Sequence, residues 1–286
     1  MAGADDRFER SASKLFREQD LDFEELSVAD AAKRYPRVNF QGVKWVLFEK
    51  NAGYLLARQA CQAVLEMFQK EGGQYIQLAV LSPVDVSGDM RQIDLSDASP
   101  ISADQYVFAC GPWLGKLFPD VIGDLIKPTR QEVFFFGTPA GDSSFSEAKL
   151  PSWSDGDSNF YGIPANERRG FKIASHRQGP LFDPTKGDRM PTAEGLQNVR
   201  NFLELRFPSL KTAPLLEARV CQYENTPDEN FVIDRHPRAR NLWLVGGGSG
   251  HGFKHGPAVG EWVSDFVLEK KAPDRFFSLA RFHKGT

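Results

Sequence analysis

The spacing of apolar positions changes period several times along the chain. Ser27 reads as the N-cap of a short helix over 28–35, closed by Pro36. The run 43–48 (VKWVLF) reads as a strand. Leu56, Ala60, Ala63, Val64, Met67 and Phe68 recur at helical spacing, which predicts a helix over 55–70 stopped by Gly72 and Gly73. Strands follow at 75–81, with 84–86 extending or following it, and at 106–110. The last of these runs into Gly111-Pro112-Trp113 and an amphipathic helix over 114–118. Strand, helix, strand, strand and a glycine turn into a helix suit an α/β sheet with its ligand beyond the strand ends.

The texture changes near Pro128. Residues 130–137 (RQEVFFFG) alternate and then become fully apolar, and 159–164 and 170–174 are further short strands. These predict an antiparallel sheet with one face able to line a pocket. Leu196, Val199, Phe202, Leu203 and Phe207 predict a helix over 192–207 lying on that sheet. From Arg219 onward a lone cysteine, a polar loop and strands at 231–233 and 242–245 lead into a glycine run, and a helix spans about 257–268. The fold expected is α/β (α+β), with two domains interleaved in sequence: 48–127 plus 223–286, and 1–47 plus 128–222.

Composition narrows the classes. Apolar residues make up 41% and charged residues 26% of 286, as in ordinary globular proteins. A net charge of −3 gives no electrostatic case for nucleic acid or an anionic membrane. No apolar run approaches the ~20 residues that span a bilayer, and the charged first residues carry no apolar signal core, so the expectation is a cytoplasmic protein. Three distant cysteines make neither a disulfide framework nor a CxxC metal pair.

The chemistry concentrates at the end of the chain. Five of the seven residues from Gly246 to Gly252 are glycine, directly after an apolar strand. That much backbone freedom suits close approach of the main chain to a ligand. Three ordered blocks resemble the sarcosine oxidase and pipecolate oxidase family of FAD-dependent amine oxidases, within the D-amino-acid-oxidase fold group. The first holds Cys221-Gln-Tyr223, Thr226-Pro-Asp-Glu229, Phe231-Val-Ile-Asp234, His236-Pro237 and Ser249-Gly-His-Gly-Phe-Lys254. The second is Phe108-Ala-Cys-Gly-Pro-Trp113 with Pro128, Arg130 and Gln131, and the third is Tyr161-Gly-Ile-Pro164 with Lys172 and His176.

The resemblance implies a site. Cys221 would carry the flavin through a thioether at its 8α-methyl carbon; by itself the residue reads as a small buried apolar side chain. Lys172 would lie over the flavin and activate O₂, against an ordinary reading as a surface lysine. Tyr161, His176 and Tyr223 would form the substrate pocket, against core aromatics and a sheet-edge histidine. Lys254 would pair with the substrate carboxylate or lie near the flavin pyrimidine oxygens. Gly250, His251, Gly252 and Phe253 would give backbone contacts to the ring, Val84 would contact the adenine or ribose, and Trp113 would pack beside the cofactor. His251 and His255 have metal-like spacing, but no third ligand is set beside them, so no metal is expected. Asp228, Glu229 and Asp234 are loop and structural carboxylates by the same resemblance.

The family pattern begins with a strand and a G-x-G-x-x-G turn for the ADP pyrophosphate. No such motif occurs here; starting from Gly246, the sixth position is His251. By that pattern the chain starts about a hundred residues late, the size of a nucleotide-binding unit. The function implied is FAD-dependent oxidation of a secondary or N-substituted amino acid, with O₂ reduced to H₂O₂. A flavin dehydrogenase with another acceptor, and a non-catalytic chain or subunit that binds FAD weakly or not at all by itself, remain as alternatives.

Overall fold

The computed structural model describes residues 1–83 and 86–282. In chain order the elements are α1 (Arg7–Glu18), β1 (Phe23–Ser27), α2 (Val28–Arg34), β2 (Trp45–Glu49), α3 (Ala57–Lys70), β3 (Ile93–Asp94), β4 (Pro100–Ile101) and β5 (Tyr106–Phe108). They continue as α4 (Leu114–Leu117), α5 (Pro119–Ile122), β6 (Lys127–Phe136), β7 (Trp153–Asp155), β8 (Phe160–Ile163), β9 (Phe171–Ser175) and α6 (Ala193–Arg206). The last are β10 (Leu215–Asn225), β11 (Val232–Arg235), β12 (Leu242–Gly246) and α7 (Gly256–Val267). The chain divides into two compact units. One is Met1–Tyr54, Gln131–Gly179 and Asp188–Cys221; the other is Leu55–Arg130, Pro180–Gly187 and Gln222–Thr286.

The first unit is built on a sheet of order β10-β6-β9-β8-β7, antiparallel from β6 through β7. Alternation along β9 sends Phe171 and Ile173 into a phenylalanine-rich core with Phe134, Phe136 and the α6 residues Val199, Phe202 and Leu203. Lys172 and Ala174 therefore face the other way. Thr192 caps α6 by accepting the Gly195 N–H at 3.0 Å, and its hydroxyl also meets the Glu132 carboxylate at 3.0 Å. Ser27 caps α2 as its sequence predicts, accepting the Asp30 N–H at 3.1 Å. An antiparallel pair, β1 with β2, packs Leu26 and Val46 around Ala31 of α2.

The second unit is organised on β12, which pairs antiparallel with β11 and parallel with β5. Every residue of β12 is buried. Leu242 and Leu244 enter a core with Tyr106, Phe108, Leu114 and Ile122, while Trp243 and Val245 pack with Ile233 and Phe266 of α7. Burial on both faces is why this strand reads as a continuous apolar run.

Several expectations need correction. The segment 75–81 is not a strand: it makes one isolated bridge, Val80 with Leu95, and leaves Tyr75, Ile76, Leu78 and Leu81 exposed. The short β3–β4 pair lies near it instead. The polar loop expected after Cys221 is the last part of β10, an 11-residue strand that runs through Cys221 to Asn225. The α3 helix forms at the expected place and ends before Gly72 at φ 95°, yet none of its residues is buried. Val84 lies outside the described residues.

Candidate active site

The sheet register assembles the first group of candidate residues. Lys172 on β9 lies directly opposite Phe135 of β6 and Ile163 of β8, while Tyr161 lies opposite Ala174. Opposed residues share a face, so Tyr161, Ile163, Lys172 and Phe135 form one patch on the side away from α6. Lys172 Nζ sits 5.4 Å from the Tyr161 ring centroid, and the Tyr161 and His176 rings meet edge to face at 6.3 Å. His176 follows β9 directly; its backbone N–H donates to the Asn159 carbonyl at 2.8 Å, and its side chain is exposed.

Apolar neighbours cost the Lys172 ammonium its hydration. Burial pushes its pKa down, negative charge on Cys221 pulls it back up, and the Arg169 guanidinium pushes it further down. Arg169 was missed in the sequence. It lies over the Phe135 ring at 4.5 Å and pairs with Glu217 of β10 at 3.8 Å. Along β10, Ala218 joins the α6-side core, so alternation turns Glu217, Arg219 and Cys221 to the opposite face, with Lys172. Cys221 is exposed and in no disulfide, which contradicts its bland reading as a small buried side chain.

The second unit gathers the other group around the glycine run. Gly247 and Gly250 have φ of 77° and 81°, and Ser249, the residue between the glycines, has φ 44°. Ser249 is buried and fixed: its Oγ donates to the Gly247 carbonyl at 3.1 Å and accepts from the Thr226 N–H at 3.3 Å. A Cβ on Gly250 would fall 2.4 Å from the Tyr223 ring, so the main chain lies flat against that ring. Gly250→Ala is expected to lose about 1–2 kcal/mol from the left-handed backbone alone, with displacement of Tyr223 adding to it. Urea denaturation measures this; a variant as stable as the parent would show that the loop tolerates side chains.

His251 Nε2 lies 3.0 Å from the Glu229 carbonyl, and the Phe231 ring meets His251 and His255 edge to face. These contacts explain the His251–His255 spacing as packing; among the described residues no cluster of three metal-ligating side chains occurs. Phe253 and Lys254 are exposed. Trp113 is exposed and donates its Nε1–H to Thr185 Oγ1 at 2.9 Å.

Glu224 is the second residue missed in the sequence. Its Oε1 accepts the Gly248 N–H at 3.1 Å, and its backbone carbonyl accepts the Ser249 N–H at 3.2 Å. The signal was the apolar–polar alternation of Leu216, Ala218 and Val220 with Glu217 and Arg219. Continued along β10, it puts Glu224 on the side of the small apolar positions.

Comparison with known proteins shows the family. Residues 1–266 match the family described as FAD dependent oxidoreductase. The chain is 31% identical over 261 residues to a monomeric sarcosine oxidase from Arthrobacter sp. (strain TE1826), covering 89% of this chain and 66% of the relative. It is 28% identical over 281 residues to the mouse peroxisomal sarcosine oxidase, covering 92% and 69%. The chain spans 62 to 66% of the length of the bacterial sarcosine oxidases it matches. Among solved structures, L-proline dehydrogenase from P. horikoshii superposes with a TM-score of 0.82 at 19% identity, covering 98% of this chain and 75% of that one. No helix among the described residues is long and apolar enough to cross a membrane. The family match runs through both units and both groups of candidate residues, and the chain belongs to the FAD-dependent oxidoreductase family.

Proposed function

We propose that this chain forms the flavin-ring and substrate side of a cytoplasmic FAD-dependent amine oxidase acting on a secondary or N-substituted amino acid. The observation that carries the reading is the Lys172 group. A partly desolvated ammonium beside Tyr161, on the sheet face shared with Cys221, is a costly arrangement that a purely structural sheet does not need. The sarcosine and N-methyl-L-tryptophan oxidases among the relatives act, by their names, on N-methyl amino acids.

The residues fit a flavin at its ring end. Gly250 is held open against Tyr223 where any side chain would intrude, and the Glu224 Oε2 atom is buried without a partner. In this reading Gly250, His251, Gly252 and Phe253 face the cofactor with Lys254 and Trp113 beside it, and Cys221 tethers it. Val84 is assigned to the adenine end by resemblance alone. The 286 residues contain no G-x-G-x-x-G for the pyrophosphate. Weak FAD retention by this chain alone is the expectation that goes with it.

Bound FAD would supply a two-electron acceptor for the C–N carbon, reoxidised by O₂. Overall, amino acid, O₂ and water become amine, carbonyl product and H₂O₂. The chain's own residues position and polarise. Tyr161 and Tyr223 offer hydroxyls and ring faces to the amino acid, and His176 and Lys254 offer positive or hydrogen-bonding partners to its carboxylate. Lys172 holds positive charge in a water-poor patch, where it stabilises negative charge developing on oxygen.

The tether has a direct test. Acid-precipitated wild-type protein loaded with FAD is expected to give a yellow pellet and a Cys221 peptide heavier by one flavin, and Cys221→Ser a colourless pellet. An unmodified Cys221 peptide removes the covalent link. Peroxide release with sarcosine tests the oxidase assignment, and substrate oxidation only with an artificial electron acceptor would make the protein a dehydrogenase.

A further inference from the structure

Glu224 carries an inference that rests on the proposed flavin function and deepens it. Its carboxyl is enclosed by two glycine turns, at the carboxyl ends of the parallel strands β5 and β12. An ideal Cβ on Gly246 would lie 3.2 Å from Oε2, one on Gly248 would lie 3.3 Å from Oε1, and one on Gly111 would lie 3.9 Å from Oε2. Crevices beyond the carboxyl ends of parallel strands are where open α/β sheets take their ligands. Oε1 is engaged by the Gly248 N–H, whereas Oε2 is buried and has no hydrogen-bond partner. A carboxyl placed this way has one oxygen committed to the loop and one left for a group the chain does not supply.

We propose that Glu224 acts as a neutral carboxylic acid that positions the glycine run through Oε1 and donates a hydrogen bond from Oε2 to an acceptor on the flavin cofactor. The neutral form suits both contacts: the carbonyl oxygen accepts from Gly248 and the hydroxyl oxygen donates. Burial pushes the Glu224 carboxyl up, and the Gly248 and Gly247 N–H groups pull it only partly back. The titratable group facing it is Cys110, at the head of the turn after β5, whose thiol is pushed up by burial and by charge on Glu224. The other neighbours around Gly246, Leu114 and Ile126, carry no charge. Two acidic groups sharing one dry space both favour their protonated forms.

The acceptor is an oxygen or nitrogen of the flavin ring, a ribityl oxygen or a phosphate oxygen. Riboflavin and ADP used as separate probes distinguish these sources. Binding of each is measured by titration, riboflavin through its fluorescence and ADP by calorimetry, from pH 5 upward, alongside hydrogen exchange at the Gly248 amide without ligand. Glu224→Gln keeps an acceptor for Gly248 and a donor for the ligand, so it is expected to bind like the parent. Glu224→Ala is expected to bind about tenfold more weakly and to exchange Gly248 faster. Parent affinity should fall as pH rises through the raised Glu224 pKa, because the ionised carboxyl has no proton to donate. Glu224→Gln should lose this pH dependence, and Cys110→Ser should keep it.

Wild-type affinity in Glu224→Ala, or an unchanged pH dependence in Glu224→Gln, overturns the proposal while leaving the flavin function standing. A parent protein that binds neither probe overturns the flavin function and the ligand contact together. Circular dichroism of each variant separates a lost contact from a lost fold.

Discussion

Lys172→Met is expected to slow reoxidation of the flavin-loaded protein by O₂ about 10²–10³-fold, the usual effect of removing one preorganised charge or donor. Anaerobic reduction by substrate should change far less. The split follows from position. The ammonium is flanked by Phe135, Ile163 and the Tyr161 ring, where partial burial weakens screening and its field would act on negative charge developing on oxygen in the proposed reaction. Methionine keeps the length and packing of the side chain and removes only the charge. Stopped-flow measurement of the two half-reactions separates the roles; equal losses in both would make Lys172 a substrate-binding residue.

The same substitution has a stability signature whose sign is fixed. The folded-state pKa of Lys172 is lowered from 10.5, so between the two values the unfolded chain binds more protons than the folded one. Stability from this group therefore rises with pH across that window, and the burial cost is fully present below it. Lys172→Met should be more stable than the parent near neutral pH and lack that rise. Denaturant midpoints from pH 7 to 10.5 test this, and identical pH profiles would show that the ammonium is well hydrated.

What the sequence made legible was mostly what the chain does locally. The cap at Ser27, the helices α2, α3, α6 and α7 and the strands β6, β8 and β9 follow from positions within a few residues of each other. Partnership was less legible. The segment 75–81 has the apolar content of a strand, but among the described residues its pairing stops at the single Val80–Leu95 bridge beside β3, and periodicity alone cannot supply a longer partner. The apolar face of α3 is equally clear in sequence and equally uncovered, with Val64 70% exposed. In the site, motif order singled out Lys172, Tyr161 and His176, and the register groups them. Glu224 and Arg169 escaped notice because charged residues read as surface until a neighbouring strand buries them. Glu217 and Arg219 hid β10 in the same way.

The largest expected loss of stability lies in one buried ion pair of the first unit. Arg206, in the last turn of α6, meets Asp155 Oδ2 through Nη2 at 2.7 Å and Nε at 2.9 Å, with side chains only 6% and 4% exposed. Arg206 Nη1 also donates to the carbonyls of Asn39 and Gln41 at 2.5 and 3.2 Å. Asp155 Oδ1 accepts from the Ser158 N–H and hydroxyl at 3.1 and 2.7 Å. One guanidinium thus ties α6, the end of β7 and the segment after α2. Arg206→Ala should cost about 3–5 kcal/mol, because it strands Asp155 in a dry site. That is a large share of the ~5–15 kcal/mol that holds a typical domain. Arg206→Met with Asp155→Leu removes both charges and should recover much of the loss, since an apolar pair has no desolvation cost to offset. The double-mutant cycle then gives a coupling energy of the size expected for groups in contact. Because β7 pairs with β8, which carries Tyr161 and pairs with β9, the same loss should loosen the Lys172 patch. In Arg206→Ala, the amides of β8 should exchange hydrogen faster before global unfolding. A variant that loses less than about 1 kcal/mol would mean that water reaches the pair and that it behaves as a surface bridge.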